Sequence, residues 1–171
     1  MLHRRAFIIA AATLALAGCG SAAKVATVPV SRPTRLQYIS ESDAICQAAL
    51  PQRRALGTRI QALLTKANDE AQLISLTREA ESIIAAENAK LEALPRPEGQ
   101  TQAIGEMYHM ASEGLTESIA AIDAFAKHQN NAAKADSAVA ARSTAVALGL
   151  AQLFGFRVCG QRGKHEVWIP G

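Results

Sequence analysis

The sequence predicts an all-α protein, an up-down-up-down four-helix bundle set behind a signal peptide and a flexible tether. Three observations carry this expectation. Apolar residues make up 49% of the 171 positions while aromatics supply only 4%, and much of the remainder is alanine, a composition that favours close-packed helices over sheet. From about residue 36 to 154, apolar residues recur at helical spacing in four long segments separated by short breaks. The two cysteines downstream of Cys19 fall where the two ends of such a bundle would meet.

Residues 1–18 read as a lipoprotein signal peptide. Met1–Arg5 is a short basic start, Ala6–Ala17 is a twelve-residue apolar run, and Leu16-Ala17-Gly18-Cys19 has small residues before a cysteine. A helix of that length reaches about 18 Å, short of the roughly 30 Å hydrocarbon core, so it fits a cleaved leader better than a membrane span. Arg4-Arg5-Ala6-Phe7-Ile8 also approaches the twin-arginine export pattern, with His3 and Ile9 departing from it; general and twin-arginine export both stay open. Cleavage would make Cys19 a palmitate-type lipidated first residue, placing the protein on the extracytoplasmic face of a cell membrane. Residues 19–35, with two prolines and little periodicity, form the expected tether.

Residues 36–160 are expected to form the bundle. Helix 1 begins near Ser40, where Ser40, Glu41, Ser42 and Asp43 offer a cap and first-turn acids. It runs to about Lys66, placing Ile45, Ala49, Leu56, Ile60 and Leu63 on one face, and Pro51 should kink or split it. Helix 2 opens near Asn68-Asp69 with the stripe Leu73, Leu76, Ala80, Ile83, Ile84, Leu91 and Leu94, and Pro95-Arg96-Pro97 ends it. Helix 3, about 98–128, turns Ile104, Met107, Tyr108, Ala111, Leu115, Ile122 and Phe125 inward. Asn130-Asn131 marks a turn, and helix 4, about 132–154, offers Ala135, Val139, Val146, Leu150 and Leu153 before Gly155 ends it. Residues 161–171 form a tail whose Trp168 is expected to fold back on the bundle rather than stay wet.

With Cys19 assigned to lipid, Cys46 and Cys159 remain as an even pair in an exported chain. The start of helix 1 and the end of helix 4 share one end of an up-down-up-down bundle. A Cys46–Cys159 disulfide follows, structural rather than reactive because no C-x-x-C spacing is present.

Tyr38-Ile39-Ser40-Glu41-Ser42-Asp43-Ala44-Ile45-Cys46, the Leu91, Leu94 and Pro97 break, and Gly149-Leu150 with Cys159-Gly160 together resemble the motifs of a group of small bacterial secreted lipoproteins. The resemblance implies a disulfide-linked helical domain outside the cytoplasm. It implies no biochemical activity.

No catalytic motif stands up to inspection, and no enzyme is expected. Glu106-x-x-His109 is half of a di-iron pattern, but His109 falls on a polar face with Glu113, Thr116 and Asp123. Met107 and Met110 read as core filler, and His165-Glu166-Val167-Trp168-Ile169 lacks the second histidine of the zinc-protease motif. No cofactor or metal is expected. Loss of Arg4 and Arg5 with the leader leaves 16 basic against 15 acidic residues, a balance without a basic cluster that argues against a nucleic-acid partner.

Four polar residues, one per helix, fall at similar heights along the bundle: Gln52, Glu87, Tyr108 and Arg142. They define an expected internal layer centred on a Glu87–Arg142 pair, readable as residues snorkelling at a seam, as a register-setting ion pair, or as one side of a ligand pocket. The sequence thus points to a lipid-anchored envelope protein, non-catalytic, held to the membrane through Cys19 and binding or contacting an envelope protein partner. The alternative is a bundle that binds a small ligand or cofactor using the polar layer.

Overall fold

The computed structural model describes residues 31–64 and 69–161. The expected signal peptide, the lipidated Cys19, most of the tether and the Trp168 tail lie outside the described residues. The described residues belong to one compact unit. It contains four helices, α1 (Arg35–Leu64), α2 (Glu70–Glu92), α3 (Thr101–Ala126) and α4 (Asn130–Phe154), and among the described residues there is no strand. The all-α four-helix expectation holds.

The helix starts differ from those expected. α1 begins five residues before Ser40 because Thr34 and Gln37 form a reciprocal capping box: the Gln37 N–H donates to Thr34 Oγ1 at 3.2 Å and the Thr34 N–H to Gln37 Oε1 at 2.8 Å. Two of the orphan donors of the first turn are satisfied together. Pro51 lies inside α1 without splitting it. The α3–α4 turn is Lys127–Gln129, with His128 at φ 57°, so Asn130 and Asn131 open α4 rather than make the turn. Gly155 ends α4 in the left-handed conformation at φ 102°, while the Phe156 N–H donates to Ala151 O at 3.0 Å.

Packing runs in sequence, α1 on α2, α2 on α3 and α3 on α4, the last pair being the most extensive. The α3–α4 seam is built from small residues. Ala133, Ala140, Ser143, Ala147 and Ala151 are buried on α4, and Gly114 of α3 comes so close that a Cβ there would meet Thr144 Oγ1 at 2.6 Å and the Ala140 carbonyl at 3.3 Å. Most of the expected α4 stripe points elsewhere, although Leu150 packs against the aromatic core. Val146 is 48% and Leu153 82% exposed, Ala135 is exposed, and Val139 and Leu150 are half-buried. Alanine faces win the interior because they let two helices approach closely along their length.

By contrast, α1 and α4 make no close backbone approach to each other. Among the described residues they are joined at one end, by a clip. The Cys46–Cys159 disulfide closes it, with Cα atoms 5.3 Å apart. Asp43, expected in a first turn, sits inside α1 and accepts backbone N–H groups from Arg157 (2.9 Å), Val158 (2.9 Å) and Cys159 (3.1 Å). Arg35 donates to the Phe154 carbonyl from Nη2 at 2.6 Å and lies over its ring. Four of the seven aromatic residues of the chain, Tyr38, Tyr108, Phe154 and Phe156, gather beside this clip in one core. A second core, Leu56, Ile60, Leu63 and Leu76, lies between α1 and α2 far from the clip.

Candidate functional site

Between the two cores the bundle is hollow. A cavity of about 340 Å³, neither enclosed nor flat, runs between the helices and draws its walls from all four. Its existence follows from composition and register. Among the described residues α1 and α4 make no close backbone approach, and the α4 wall is mostly small, with Ser137, Ala140, Ala141, Thr144, Ala147 and Ala151 beside one large residue, Leu148. A volume of this size lies at the lower end of the range for small-molecule sites.

Of the expected polar layer, the structure buries Glu87 and Tyr108 and leaves Gln52 and Arg142 on the surface. Counting residues at 1.5 Å rise gives the height of a side chain but not its direction, which turns by about 100° per residue. Gln52 precedes the inward Arg53, and Arg142 precedes the buried Ser143. Glu87 therefore pairs with Arg53 of α1 at 3.2 Å, not with Arg142. Tyr108 lies nearer the clip, where its hydroxyl donates to Leu91 O at 3.2 Å and stands 2.6 Å from the Tyr38 hydroxyl. Because Tyr108 spends its proton on Leu91, Tyr38 donates to Tyr108. Burial raises both phenols above their ordinary range.

The residue that sequence reasoning missed is Glu81. It is 5% exposed, lines the cavity and accepts a hydrogen bond at Oε1 from the Ser118 hydroxyl of α3 at 2.8 Å. Burial pushes its carboxyl above the usual range; the Ser118 hydrogen bond opposes the shift, Asp123 adds to it and Arg78 opposes it. Glu87 is also raised by burial, against the pull of Arg53. A signal for Glu81 was present: Thr77, Glu81, Ile84, Glu87 and Leu91 recur at intervals of three and four, and all five line the cavity.

Near the clip, Ser42 also lines the cavity and is fully buried. Its Oγ neighbours the Tyr38 hydroxyl without meeting hydrogen-bond geometry, and among the described residues it is the buried side-chain polar atom left without a partner. An orphaned buried hydroxyl is costly unless something else meets it. Glu106 and His109 are exposed, and no group of three metal-ligating side chains occurs among the described residues.

No protein-family model, curated protein or solved structure matches this chain. The cavity and its polar groups therefore stand as the basis for a functional reading.

What this arrangement can do chemically is bind. The walls are mainly apolar, and the polar groups sit at separate heights: the Ser42 hydroxyl near the clip, the Arg53–Glu87 pair in the middle and Glu81 beyond it.

Proposed function

We propose that the chain is a lipid-anchored extracytoplasmic protein whose helical bundle holds a small, largely apolar molecule between α1 and α4. The observation that carries this reading is the cavity itself, continuous from Ser42 to Ser137, with buried polar groups spaced along apolar walls. A structural bundle of this length gains nothing from a hollow centre, since unfilled volume forfeits packing contacts. The leader and Cys19 support the location, with the lipid as the link to the membrane.

The test uses the mature chain, residues 19–171, with Cys19→Ser to keep it free of lipid and detergent. An environment-sensitive apolar dye such as N-phenyl-1-naphthylamine should brighten on binding with micromolar affinity. Ala141→Phe, which fills the cavity from its half-exposed α4 wall, should abolish the signal while the far-ultraviolet circular dichroism stays helical. Equal dye binding by the two proteins would refute the cavity as the site.

A second reading has its own observation. The outward stripe of α4, with Val146 and Leu153 exposed, supports contact with an envelope protein partner. Leu153→Glu should then weaken co-purification of that partner without changing dye binding.

A further inference from the structure

Resting on the ligand-binding reading, we infer that the cavity selects an elongated apolar amine, whose ammonium group is held by Glu81 and whose chain runs along the bundle toward Ser42. Four observations place the cation at Glu81.

Glu81 is the buried carboxylate of the cavity that has no ionic partner among the described residues. Six residues along α2, Glu87 has Arg53 at 3.2 Å. The cation closest to Glu81 on its own helix, Arg78, is turned outward and bound to Asp123 at 2.7 Å, with both side chains about half exposed. Asp123 adds negative charge near Glu81 rather than relieving it. A buried carboxylate in these surroundings is stabilised by a cation brought from outside.

The geometry around the carboxylate leaves room for one. Ser118 occupies Oε1 alone. Arg53 lies opposite Glu87, and Arg59 opposite Glu79; in that register Gly57 of α1, which lines the cavity without a side chain, stands opposite Glu81. The facing α4 wall carries Ser137 and Ala141. Small residues thus surround the carboxylate on the open side.

The charge pattern also favours a cation at this depth. The charged groups lining the cavity are Arg53, Arg54 and Glu87 besides Glu81. Arg53 is engaged by Glu87, and Arg54 is exposed on α1, so it guards the mouth rather than the interior. α4 contributes only hydroxyls, from Ser137 and Thr144.

The length follows from α1. Ser42 lies fifteen residues before Gly57 on α1, so the two are about 22 Å apart along the helix. The walls between them include Cys46, Leu50, Ile84, Leu91, Met107 and Leu148. An alkyl chain fits along those walls, passing the Arg53–Glu87 pair on the way. The unpaired Ser42 hydroxyl offers a hydrogen bond to a polar group at the far end of a longer ligand.

Decylamine, decanol and decanoate separate charge from chain length. Titrated at pH 7.5 against dye bound to the Cys19→Ser mature chain, decylamine should displace it with at least about tenfold higher affinity than decanol, the difference expected for one charge-assisted hydrogen bond. Decanoate should be the weakest. Glu81→Gln keeps the shape and an acceptor for Ser118, and it should bring decylamine to the decanol value while leaving decanol unchanged. In the unmutated protein, decylamine binding should weaken as acid protonates Glu81, and decanol binding should not. Equal affinity for amine and alcohol, a preference that survives Glu81→Gln, or tighter decanoate binding overturns the inference while leaving the ligand-binding reading intact. Failure of dye and all three compounds to bind overturns both.

Discussion

At Asp43 a single carboxylate holds three consecutive backbone N–H groups of the chain that leaves α4. Asp43→Ala would leave those donors to water or unpaired, and a loss of about 2–3 kcal/mol is expected from chemical denaturation. Asp43→Asn should keep part of that stability, because one amide oxygen can still accept. Glu81 carries a pH signature. Its carboxyl, like that of Glu87, is held above its ordinary range by burial. Between the unfolded value of about 4.3 and the raised folded value, the native state holds protons that the unfolded chain has released. Stability in the absence of ligand should therefore rise as pH falls from neutral into that window, and be lost as pH rises through it. Glu81→Gln should flatten part of the dependence; melting curves between pH 7.5 and 5 that are parallel for the two proteins would rule out its share. This dependence runs opposite to that of amine binding, which needs Glu81 ionised.

At the scale of the helix, α4 separates what periodicity reveals from what it conceals. The segment's existence and its end at Gly155 follow from its apolar content and the glycine. Its inward face did not follow. Weighting large residues selects Val139, Val146, Leu150 and Leu153, of which Leu150 alone packs against the aromatic core, whereas the buried residues are Ala133, Ala140, Ser143, Ala147, Ala151 and the terminal Phe154. Both stripes have helical spacing, and which one turns inward depends on how closely α3 approaches. Gly114→Ala tests that closeness. With Thr144 and the Ala140 carbonyl already where the new methyl would stand, a destabilisation of about 1–3 kcal/mol is expected, against at most about 0.5 kcal/mol for Leu153→Ala on the outer face. A Gly114→Ala protein as stable as the parent would mean that the two helices are not locked at this distance.

At the scale of the molecule, the clip and the cavity are complementary. One core, one disulfide and the Asp43 and Arg35 contacts join α1 to the exit of α4 at one end; farther along, α1 packs on α2. The bond spans a sequence separation of 113. Replacing Cys46 and Cys159 by serine is expected to cost up to about 4 kcal/mol, the entropy of an unclosed chain less any native relaxation. Because the cavity lies between α1 and α4, the same replacement should also weaken dye binding when both proteins are compared well below their melting temperatures. Unchanged affinity would mean that α2 and α3 hold the cavity open by themselves.

The sequence by itself determined the helical class, the number and approximate limits of the helices and the pairing of Cys46 with Cys159, because composition, caps, breakers and cysteine parity are local or countable. It also placed Gln52 at about the height of Glu87, whose partner is the next residue, Arg53, since rise per residue is constant; Tyr108 lies nearer the clip than the expected layer. Only the tertiary structure decided azimuth: that Arg53 rather than Arg142 meets Glu87, that Gln52 faces water, that alanines rather than valines and leucines line the α3–α4 seam, and that α1 stands off from α4. Those outcomes depend on how far apart whole helices settle, and that distance is set by the smallest side chains, whose pattern carries the weakest signal in a sequence. The cavity around Glu81 is the space left when they have settled.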